Sequence, residues 1–420
     1  MGPIDQNNRG GISRVSVTRA SRPDKKQIKE AFERLLGAFG GIRKIIPPDV
    51  KKVLIKPNLM MGEPWTTGIT VNPFIVELLI MELKKERINV IVGEGAGWGC
   101  PSDDAFKATG ITGLCSKLEV PLVDFKRGET VRLSVPDGSV LKYIVVDRVV
   151  PECDFIINVA KMKTHCETIA SLSLKNMKGF IAEDKERLRF HLLDVNRCLV
   201  DLNRTIKADF SIVEGIIALE GIGPLFPGKP KPLGVLAGGK DPVAVDSVCA
   251  RIMGMDPAEI RHIQYAYEAG LGKIDLDDIE VAGESIESVK PVSWELPPLT
   301  IEALSPFNEI RIVNGNPCSN CIASLASYLH GYIDKKIIEE ATTNVEILIG
   351  KKAVSSGSGK EIAIGNCLER YRGKLPFVSG CPPPSDAYLE LIALGLKGDF
   401  KPLTVNSDAR IVDPENGESE

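Results

Sequence analysis

Four cysteines in the last third of the chain could together hold a metal centre. Cys318 and Cys321 follow the apolar run EIRIV, Cys367 follows EIAIGN, and Cys381 follows PFVSG. If each run is a strand of one parallel sheet, the loops after the strands emerge at the same carboxyl edge, where open α/β folds build their sites. We therefore predict that these loops bring four thiolates together.

Four thiolates can hold either a zinc ion or an iron–sulfur cluster. Structural zinc sites usually use two short cysteine pairs, whereas this chain offers one pair and two single cysteines. Gly380 lets the backbone approach inorganic sulfide closely, and Pro382 and Pro383 stiffen the loop after Cys381. These features favour a [4Fe–4S] cluster. Zinc, a redox-active cysteine pair and inert buried cysteines are the alternatives.

A second group of residues suited to chemistry is basic. Between positions 161 and 178, four lysines and a histidine occur among hydroxyl and amide side chains, not among the glutamates of a solvated helix face. This composition is typical of a pocket for phosphate or a carboxylate, and a solvated basic edge is the alternative. Lys56 and Asn58, at the end of an earlier predicted strand, favour the interpretation as a pocket. The predicted substrate-binding residues are Lys56, Asn58, Lys161, Lys175, Asn176, Lys178 and His191.

Three residues near this basic stretch are candidates for catalysis. His165 is one of only four histidines and could perform acid–base chemistry near neutral pH, although a satisfied buried histidine is the alternative. Lys163 precedes it by two positions. Asp241 and the proline after it predict a helix start, and Asp246 lies one turn further along. We predict His165, Lys163 and Asp246 as the catalytic group.

The first two thirds of the chain closely resemble the family known as domain of unknown function 362. Members of that family often carry an appended ferredoxin-type cluster domain, and this sequence has a different cluster module in that place. The resemblance itself implies little about function. The resemblance covers about residues 50–285 and rests on KPNL (56–59), KMKTH (161–165), SLKNMKG (173–179), EGIGP (220–224) and GGKDPVAVDSVCARIMG (238–254).

The last hundred or so residues resemble another class of protein. CSNC, GNC and GCPPPSD are similar to the proximal-cluster motifs of the nickel–iron hydrogenase small subunit and of its counterpart in respiratory complex I. The resemblance implies a [4Fe–4S] cluster on a flavodoxin-like domain. The intervals between the motifs are shorter here than in those proteins, and electron relay to a nickel site is not implied.

The elements that must position these residues form two α/β domains. Short β-branched runs alternate with helical patterns over the first 290 residues, which indicates parallel βαβ units. Segment 131–150, with a Pro-Asp-Gly turn, predicts an inserted hairpin. The predicted boundaries are a disordered lead (1–12), a mostly parallel α/β domain (13–288), a Pro-rich linker (289–307), a smaller flavodoxin-like iron–sulfur domain (308–408) and a frayed tail (409–420).

Composition indicates the class of protein and the compartment in which we expect it. The chain has 420 residues, 43% of them hydrophobic and 26% charged, which fits a globular protein with more than one core. A net charge of −4 leaves no electrostatic footprint for nucleic acid. We find no apolar run of about 18 residues and no signal peptide, and ten cysteines in such a chain argue against a disulfide framework. We expect a cytoplasmic protein without nucleic-acid or membrane partners.

The leading functional hypothesis is an oxidoreductase that passes electrons between a [4Fe–4S] cluster and an anionic small molecule held by the lysines and histidines. One alternative is a cluster that acts as a Lewis acid in dehydration or sulfur transfer. Another is a non-catalytic electron carrier or scaffold. Four cysteines leave no iron without a thiolate, which favours the redox hypothesis. The expected partners are the anion, a redox partner protein and, in a homo-oligomer, further copies of the chain. An oxygen-sensitive cluster would suit an anaerobe.

Overall fold

The computed structural model describes residues 11–97, 100–298, 300–383, 385–405 and 411–412. The chain divides into two compact units. The first unit consists of Met1–Thr164, Ala170–Glu220 and Lys229–Glu295, and the second of His165–Ile169, Gly221–Gly228 and Leu296–Glu420. Two short segments therefore belong to the second unit although their neighbours in sequence belong to the first. The predicted lead and tail lie largely outside the described residues.

A mostly parallel sheet forms the centre of the first unit. The strands of this unit are β1 (Ser13–Arg19), β2 (Lys52–Pro57), β3 (Asn89–Glu94), β4 (Leu122–Asp124), β5 (Thr130–Ser134), β6 (Tyr143–Asp147), β7 (Phe155–His165), β8 (Ile169–Ala170), β9 (Phe210–Glu220), β10 (Lys229–Gly239) and β11 (Ile279–Gly283). The sheet order is β11-β1-β10-β9-β7-β2-β3-β4. The predicted α/β class with a largely parallel sheet is confirmed.

Strand β10 is the exception to the parallel pattern. It pairs antiparallel with both β1 and β9, whereas the pairs β9–β7, β7–β2, β2–β3 and β3–β4 are all parallel. Only residues 221–228 connect β9 to β10. A connection this short makes a hairpin, because a parallel crossover needs about a dozen residues or more.

Helices cover both faces of this sheet. They are α1 (Lys25–Gly37), α2 (Ile42–Ile45), α3 (Pro73–Lys85), α4 (Ser102–Ala108), α5 (Ile111–Lys117), α6 (Val149–Glu152), α7 (Leu172–Asn176), α8 (Asp184–Leu192), α9 (Val195–Thr205), α10 (Pro242–Ile252), α11 (Arg261–Glu268) and α12 (Ile286–Val289). Val53 and Ile55 of β2 pack into one apolar core with α1 and α3, and Leu54 packs into the other with α9. The alternation follows from the two-residue period of a strand. Within the described ranges, no helix is long and apolar enough to cross a membrane.

The predicted hairpin forms a separate two-stranded antiparallel sheet of β5 and β6. A single carboxylate on α9 anchors the loop that joins the two strands. Asp201 is 1% exposed and accepts the backbone N–H groups of Ser139, Val140 and Leu141 at 2.8–2.9 Å. The carboxylate takes the place of water as the hydrogen-bond acceptor of these three backbone N–H groups. It therefore holds the hairpin against α9.

The second unit is built on a parallel sheet of its own. Its strands are β12 (Ile310–Asn314), β13 (Val345–Ile349), β14 (Glu361–Ile364), β15 (Phe377–Val378), β16 (Thr404–Val405) and β17 (Ile411–Val412), and its helices are α13 (Ser319–Ser327), α14 (Lys335–Glu339) and α15 (Leu389–Leu396). The strands lie side by side in chain order, and every pair except β16–β17 is parallel. A parallel α/β unit is thus confirmed. The flavodoxin-like detail is not, because that sheet has the order 2-1-3-4-5.

Removal of the Asp201 carboxylate should destabilise the first unit. We expect Asp201→Ala to lower the free energy of unfolding by about 3 kcal/mol, since three buried backbone donors lose a charged acceptor. Asp277→Ala, at an exposed aspartate, is the matched control and should change stability by less than about 0.5 kcal/mol. Urea denaturation of both variants measures the difference. Equal effects would show that Asp201 does not anchor the hairpin.

Candidate functional site

The four predicted ligand cysteines lie just beyond the ends of three parallel strands in the second unit. Cys318 caps the N-terminus of α13 and Cys321 lies in the first turn of that helix. Cys367 and Cys381 each follow a strand by three positions, after β14 and β15. The structure therefore carries all four cysteines on loops at the same edge of the sheet.

The thiols are close enough to influence each other. A hydrogen bond with the Cys318 thiol, burial, and the neighbouring thiols of Cys367 and Cys381 together raise the pKa of Cys321. Burial, followed by the nearby Cys318 and Cys381 thiols, raises the pKa of Cys367. Burial and Cys318 do the same for Cys381. Each thiol is thus within electrostatic range of at least two of the others.

Glycines shape the loops around these thiols. Gly365 and Gly380 adopt φ of 92° and 132°, a region that other residues rarely occupy. A Cβ on Gly365 would lie 3.8 Å from Cys321 Sγ, and one on Gly380 would lie 2.5 Å from Pro383 Cα. The Asn366 side chain accepts the backbone N–H of Gly380 at 2.7 Å, and Asn366 donates its own backbone N–H to the Gly380 carbonyl at 2.9 Å. The Cys367 and Cys381 loops are thereby fastened to each other.

Among the described residues, no group of three or more His, Cys, Asp or Glu side chains is arranged to hold a single metal ion. Around one zinc ion, four sulfurs would each lie about 2.3 Å from a common point. In a cluster, iron and sulfide atoms fill the space between cysteine sulfurs that are further apart. Four thiols within electrostatic range of one another are compatible with this second geometry.

The basic residues of the first unit form a buried hydrogen-bonded layer. Lys56, at the end of β2, is fully buried and its Nζ donates to Glu94 Oε2 at 2.8 Å and to Asn176 Oδ1 at 3.3 Å. Asn58 donates to the same Asn176 oxygen at 2.9 Å. Burial lowers the pKa of Lys56, and the Glu94 carboxylate opposes that shift. The charge of Lys56 is therefore balanced within the protein.

A second buried ion pair lies on the neighbouring strands. Lys161 and Glu214 are register partners on β7 and β9, and Lys161 Nζ lies 2.6 Å from Glu214 Oε2 with neither side chain exposed. Glu214 also accepts the backbone N–H groups of Asn72 and Ile216. Burial lowers the pKa of Lys161, and Glu214 opposes that shift.

Glu94 and Glu214 are not among the site residues that the sequence predicts. Each follows or interrupts a run of apolar strand residues. Charged side chains are almost never fully buried unless they are paired. A glutamate within such an apolar run therefore indicates that a buried cation pairs with it. The basic stretch therefore has acidic partners that sequence spacing alone did not reveal.

Lys163 differs from these two lysines because no carboxylate forms an ion pair with it in the described part of the chain. Its Nζ donates to Asn58 Oδ1 at 3.0 Å and to the Ile69 carbonyl at 2.9 Å. Burial lowers its pKa well below 10.5, and the nearby cations Lys175 and Lys161 lower it further. The structure thus places a buried amine, with a reduced proton affinity, beside two compensated ammonium groups.

Asp246, predicted as catalytic, lies fully buried on α10. Its two carboxylate oxygens accept the backbone N–H groups of Ser173 and Leu174 at 2.7 and 2.8 Å. Burial raises the pKa of Asp246 well above 3.8, while these two hydrogen bonds oppose the shift. In this position the carboxylate holds the start of α7, the short helix that carries Lys175 and Asn176.

The remaining predicted residues are Lys175, Lys178, His191 and His165. Lys175 is half-buried in the last turn of α7. Lys178 Nζ is hydrogen-bonded to His191 Nε2. His165 belongs to the second unit, where its Nδ1 accepts the backbone N–H groups of Glu167 and Thr168 at 3.1 and 3.4 Å. The structure gathers five of the predicted residues into one layer, namely Lys56, Asn58, Lys161, Lys163 and Asn176.

A cavity of about 480 Å³ opens elsewhere in the first unit. Arg251, Met255, Leu276 and Lys290 are among its lining residues. It contains none of the predicted site residues.

Part of the first unit matches a known protein family. The family described as "Domain of unknown function (DUF362)" matches residues 53–251, a range that includes the lysine layer and ends before the four cysteines. The chain is also similar to the thylakoid-associated protein sll1697 of Synechocystis sp., with 27% identity over 255 residues, which cover 59% of this chain and 77% of that relative.

One solved structure is distantly similar. The apoprotein of lactate racemase from Thermoanaerobacterium thermosaccharolyticum shares 12% sequence identity with this chain at a TM-score of 0.39, and the match covers 59% of this chain and 58% of that one. Less than two thirds of that structure is therefore spanned. The family match over residues 53–251 agrees with the DUF362 resemblance that the sequence motifs indicate.

Proposed function

We propose that this protein is an iron–sulfur oxidoreductase in which Cys318, Cys321, Cys367 and Cys381 hold one [4Fe–4S] cluster. The observation that carries the proposal is the mutual approach of four thiols from three loops at one sheet edge. Four thiolates would satisfy all four irons, which suits electron transfer better than Lewis-acid chemistry. The proposed site shares with flavodoxin-like domains its placement at the carboxyl edge of a parallel sheet, although the order of the strands is different.

The exposure of the cysteines supports exchange of electrons with a partner. Cys321 is buried, whereas Cys367 and Cys381 are exposed. A cluster held by these residues would be covered on one side and open on the other. A redox partner protein could approach the open side, and the buried side would be shielded from water. All ten cysteines, which lie in the described part of the chain, are free thiols, as expected for a protein of the cytoplasm.

We place the anionic substrate at the Lys163 end of the lysine layer. Glutamates already form ion pairs with Lys56 and Lys161. Lys163 is therefore the lysine of this layer that could interact with an acidic substrate. A buried amine with a lowered pKa can accept a proton from a substrate. The resulting ammonium would pair with the substrate anion. Met60 Sδ lies 3.8 Å from Lys163 Nζ, so this side chain must move for a substrate to reach the amine.

The cluster proposal predicts the metal content of the purified protein. Anaerobic preparation should give about four irons and four sulfides per chain, since the four thiolates fit one cubane cluster. Cys381→Ser should lose or convert the cluster. Cys100→Ser, at a cysteine of the first unit, is the control and should keep the full content. Stoichiometric zinc without iron, or full iron in Cys381→Ser, would contradict the proposal.

The state of Lys163 predicts how stability depends on pH. The unfolded chain binds the lysine proton below about pH 10.5, whereas the folded chain binds it only below its lowered pKa. Unfolding therefore takes up a proton between these two values, and stability rises with pH across that window. Lys163→Met removes this dependence, so the stability of the wild type relative to the variant should increase as the pH is raised towards 10.5.

Urea denaturation at several pH values measures this difference. Lys107→Met, at an exposed lysine, is the matched control, and its stability relative to the wild type should stay nearly constant with pH. If Lys163→Met behaved like Lys107→Met, Lys163 would be an ordinary charged lysine in the folded protein. It would then be unsuited to accept a proton from a substrate.

A further inference from the structure

Two tyrosines are completely buried in the core of the second unit, and their hydroxyl groups lack partners. Tyr328 and Tyr388 are 0% exposed, and their ring centroids lie 5.8 Å apart with the planes tilted by 44°. Neither Oη forms a hydrogen bond with any residue that the structure describes. A buried hydroxyl without a partner costs about 1–3 kcal/mol, and buried phenols usually find one. The two orphan hydroxyls therefore call for an explanation.

The two phenols have different surroundings although they touch each other. Burial and the nearby thiols of Cys321 and Cys318 raise the pKa of Tyr388. Burial alone raises the pKa of Tyr328. Tyr328 follows Cys321 by seven positions, at the end of α13, and so lies two turns from it. Cys321, Tyr328 and Tyr388 all belong to one apolar core, and within it Tyr388 is the phenol whose pKa the cysteine thiols raise.

Ser324 is the nearest alternative partner for Tyr388. It lies one turn beyond Cys321 on α13, and its hydroxyl favours the ionised form of the phenol slightly. That hydroxyl, however, donates its proton to the Pro383 carbonyl, and no hydrogen bond joins it to Tyr388 among the described residues. Ser324 therefore fixes the loop after Cys381. Its oxygen could still accept a proton, but the Tyr388 Oη is not within hydrogen-bond geometry of it or of any other described residue.

We propose that Tyr388 donates its O–H to a sulfur atom of the bound cluster. The inference rests on the proposed function, because the acceptor is part of the cluster that the four cysteines would hold. A sulfur atom in that position would satisfy a buried donor that no described residue satisfies. The phenol keeps its proton, and Tyr388 neither gains nor loses an electron. Its role is to position a hydrogen bond, not to react.

Hydrogen bonds to cluster sulfurs help to set the reduction potential. A donor stabilises the more negative, reduced form more than the oxidised form. Loss of the Tyr388 hydroxyl should therefore move the potential of the cluster to a more negative value. Tyr388→Phe removes only the hydroxyl and retains the ring that packs on Tyr328, so the apolar surroundings of the site are preserved.

The test is a redox titration of the holoprotein, reduced with dithionite and followed by electron paramagnetic resonance. At the midpoint potential of the wild type, the ratio of reduced to oxidised cluster in Tyr388→Phe should fall by up to about tenfold, which corresponds to about 59 mV for a one-electron couple. Tyr328→Phe is the matched control, since it also removes a buried unpartnered hydroxyl. Its potential should equal that of the wild type.

Three results would overturn the inference. The potential of Tyr388→Phe could equal that of the wild type, or both tyrosine variants could shift equally, which would indicate a general effect of packing. Ser324→Ala could reproduce the whole shift, which would indicate that the effect passes through the contact of Ser324 with the loop after Cys381 and not through a hydrogen bond from Tyr388 to sulfur. Each result presupposes a loaded cluster, so it is distinct from failure of the proposed function, in which the wild type itself contains no iron.

If Tyr388→Phe does not assemble the cluster, a second measurement on the Tyr328→Phe holoprotein tests whether Tyr388 contacts a cluster sulfur. With ring-deuterated tyrosine incorporated, electron–nuclear double resonance of the reduced cluster should show coupling to tyrosine deuterons, because Tyr388 would lie in hydrogen-bond contact with a cluster sulfur. The absence of any coupled tyrosine deuteron would overturn the inference.

Discussion

Parallel strands that end side by side are the constraint on which the candidate metal centre depends. Asn314, Ile349, Ile364 and Val378 form one row across the second sheet, so the loops after these strands start at the same level. Although 45 residues separate Cys321 from Cys367, this row brings their loops to one edge. Only two or three residues then lie between the end of each strand and the first cysteine after it. A shift of one strand by one residue would move its cysteine out of the group.

The constraint on the first unit is the compensation of buried positive charge, because several lysines are buried near the ends of its parallel strands. Burial of an uncompensated charge is costly, and breaking a buried pair leaves a charge that nothing balances. Two lysines are compensated by glutamates from neighbouring strands. Lys163 has no such partner in the described chain, and its proton affinity falls instead. Ion pairs thus fix the layer, and they leave one amine suited to proton transfer.

Much of this arrangement could be predicted from local sequence patterns. The apolar runs at 51–56, 89–93, 154–161 and 210–215 correspond to β2, β3, β7 and β9, and the Pro-Asp-Gly turn marked the hairpin. Strand ends then indicated which residues share an edge. These features depend on residues close together in the chain, which is why composition and periodicity reveal them.

The pairing of distant residues could not be predicted in this way. Glu94 is 38 positions from Lys56 and Glu214 is 53 from Lys161, and each pair exists only because of strand order and register. Asp246, which we predict as catalytic, accepts a backbone N–H group of a helix 72 positions away, and sequence spacing gives no sign of this contact. The segment His165–Ile169 joins the second unit, a change of unit that no sequence pattern marks. Tertiary packing decides such details, and propensity does not.

The central claim is that the second unit carries a redox-active cluster on four thiolates. Electron paramagnetic resonance of the anaerobically purified full chain, before and after reduction with dithionite, tests it most directly. The account predicts that the oxidised protein has no signal from the cluster. One-electron reduction should produce the signal of a reduced [4Fe–4S] centre, and reoxidation should remove it. A protein that binds zinc instead of iron, or that binds iron but shows no cluster signal at any potential, would contradict the account.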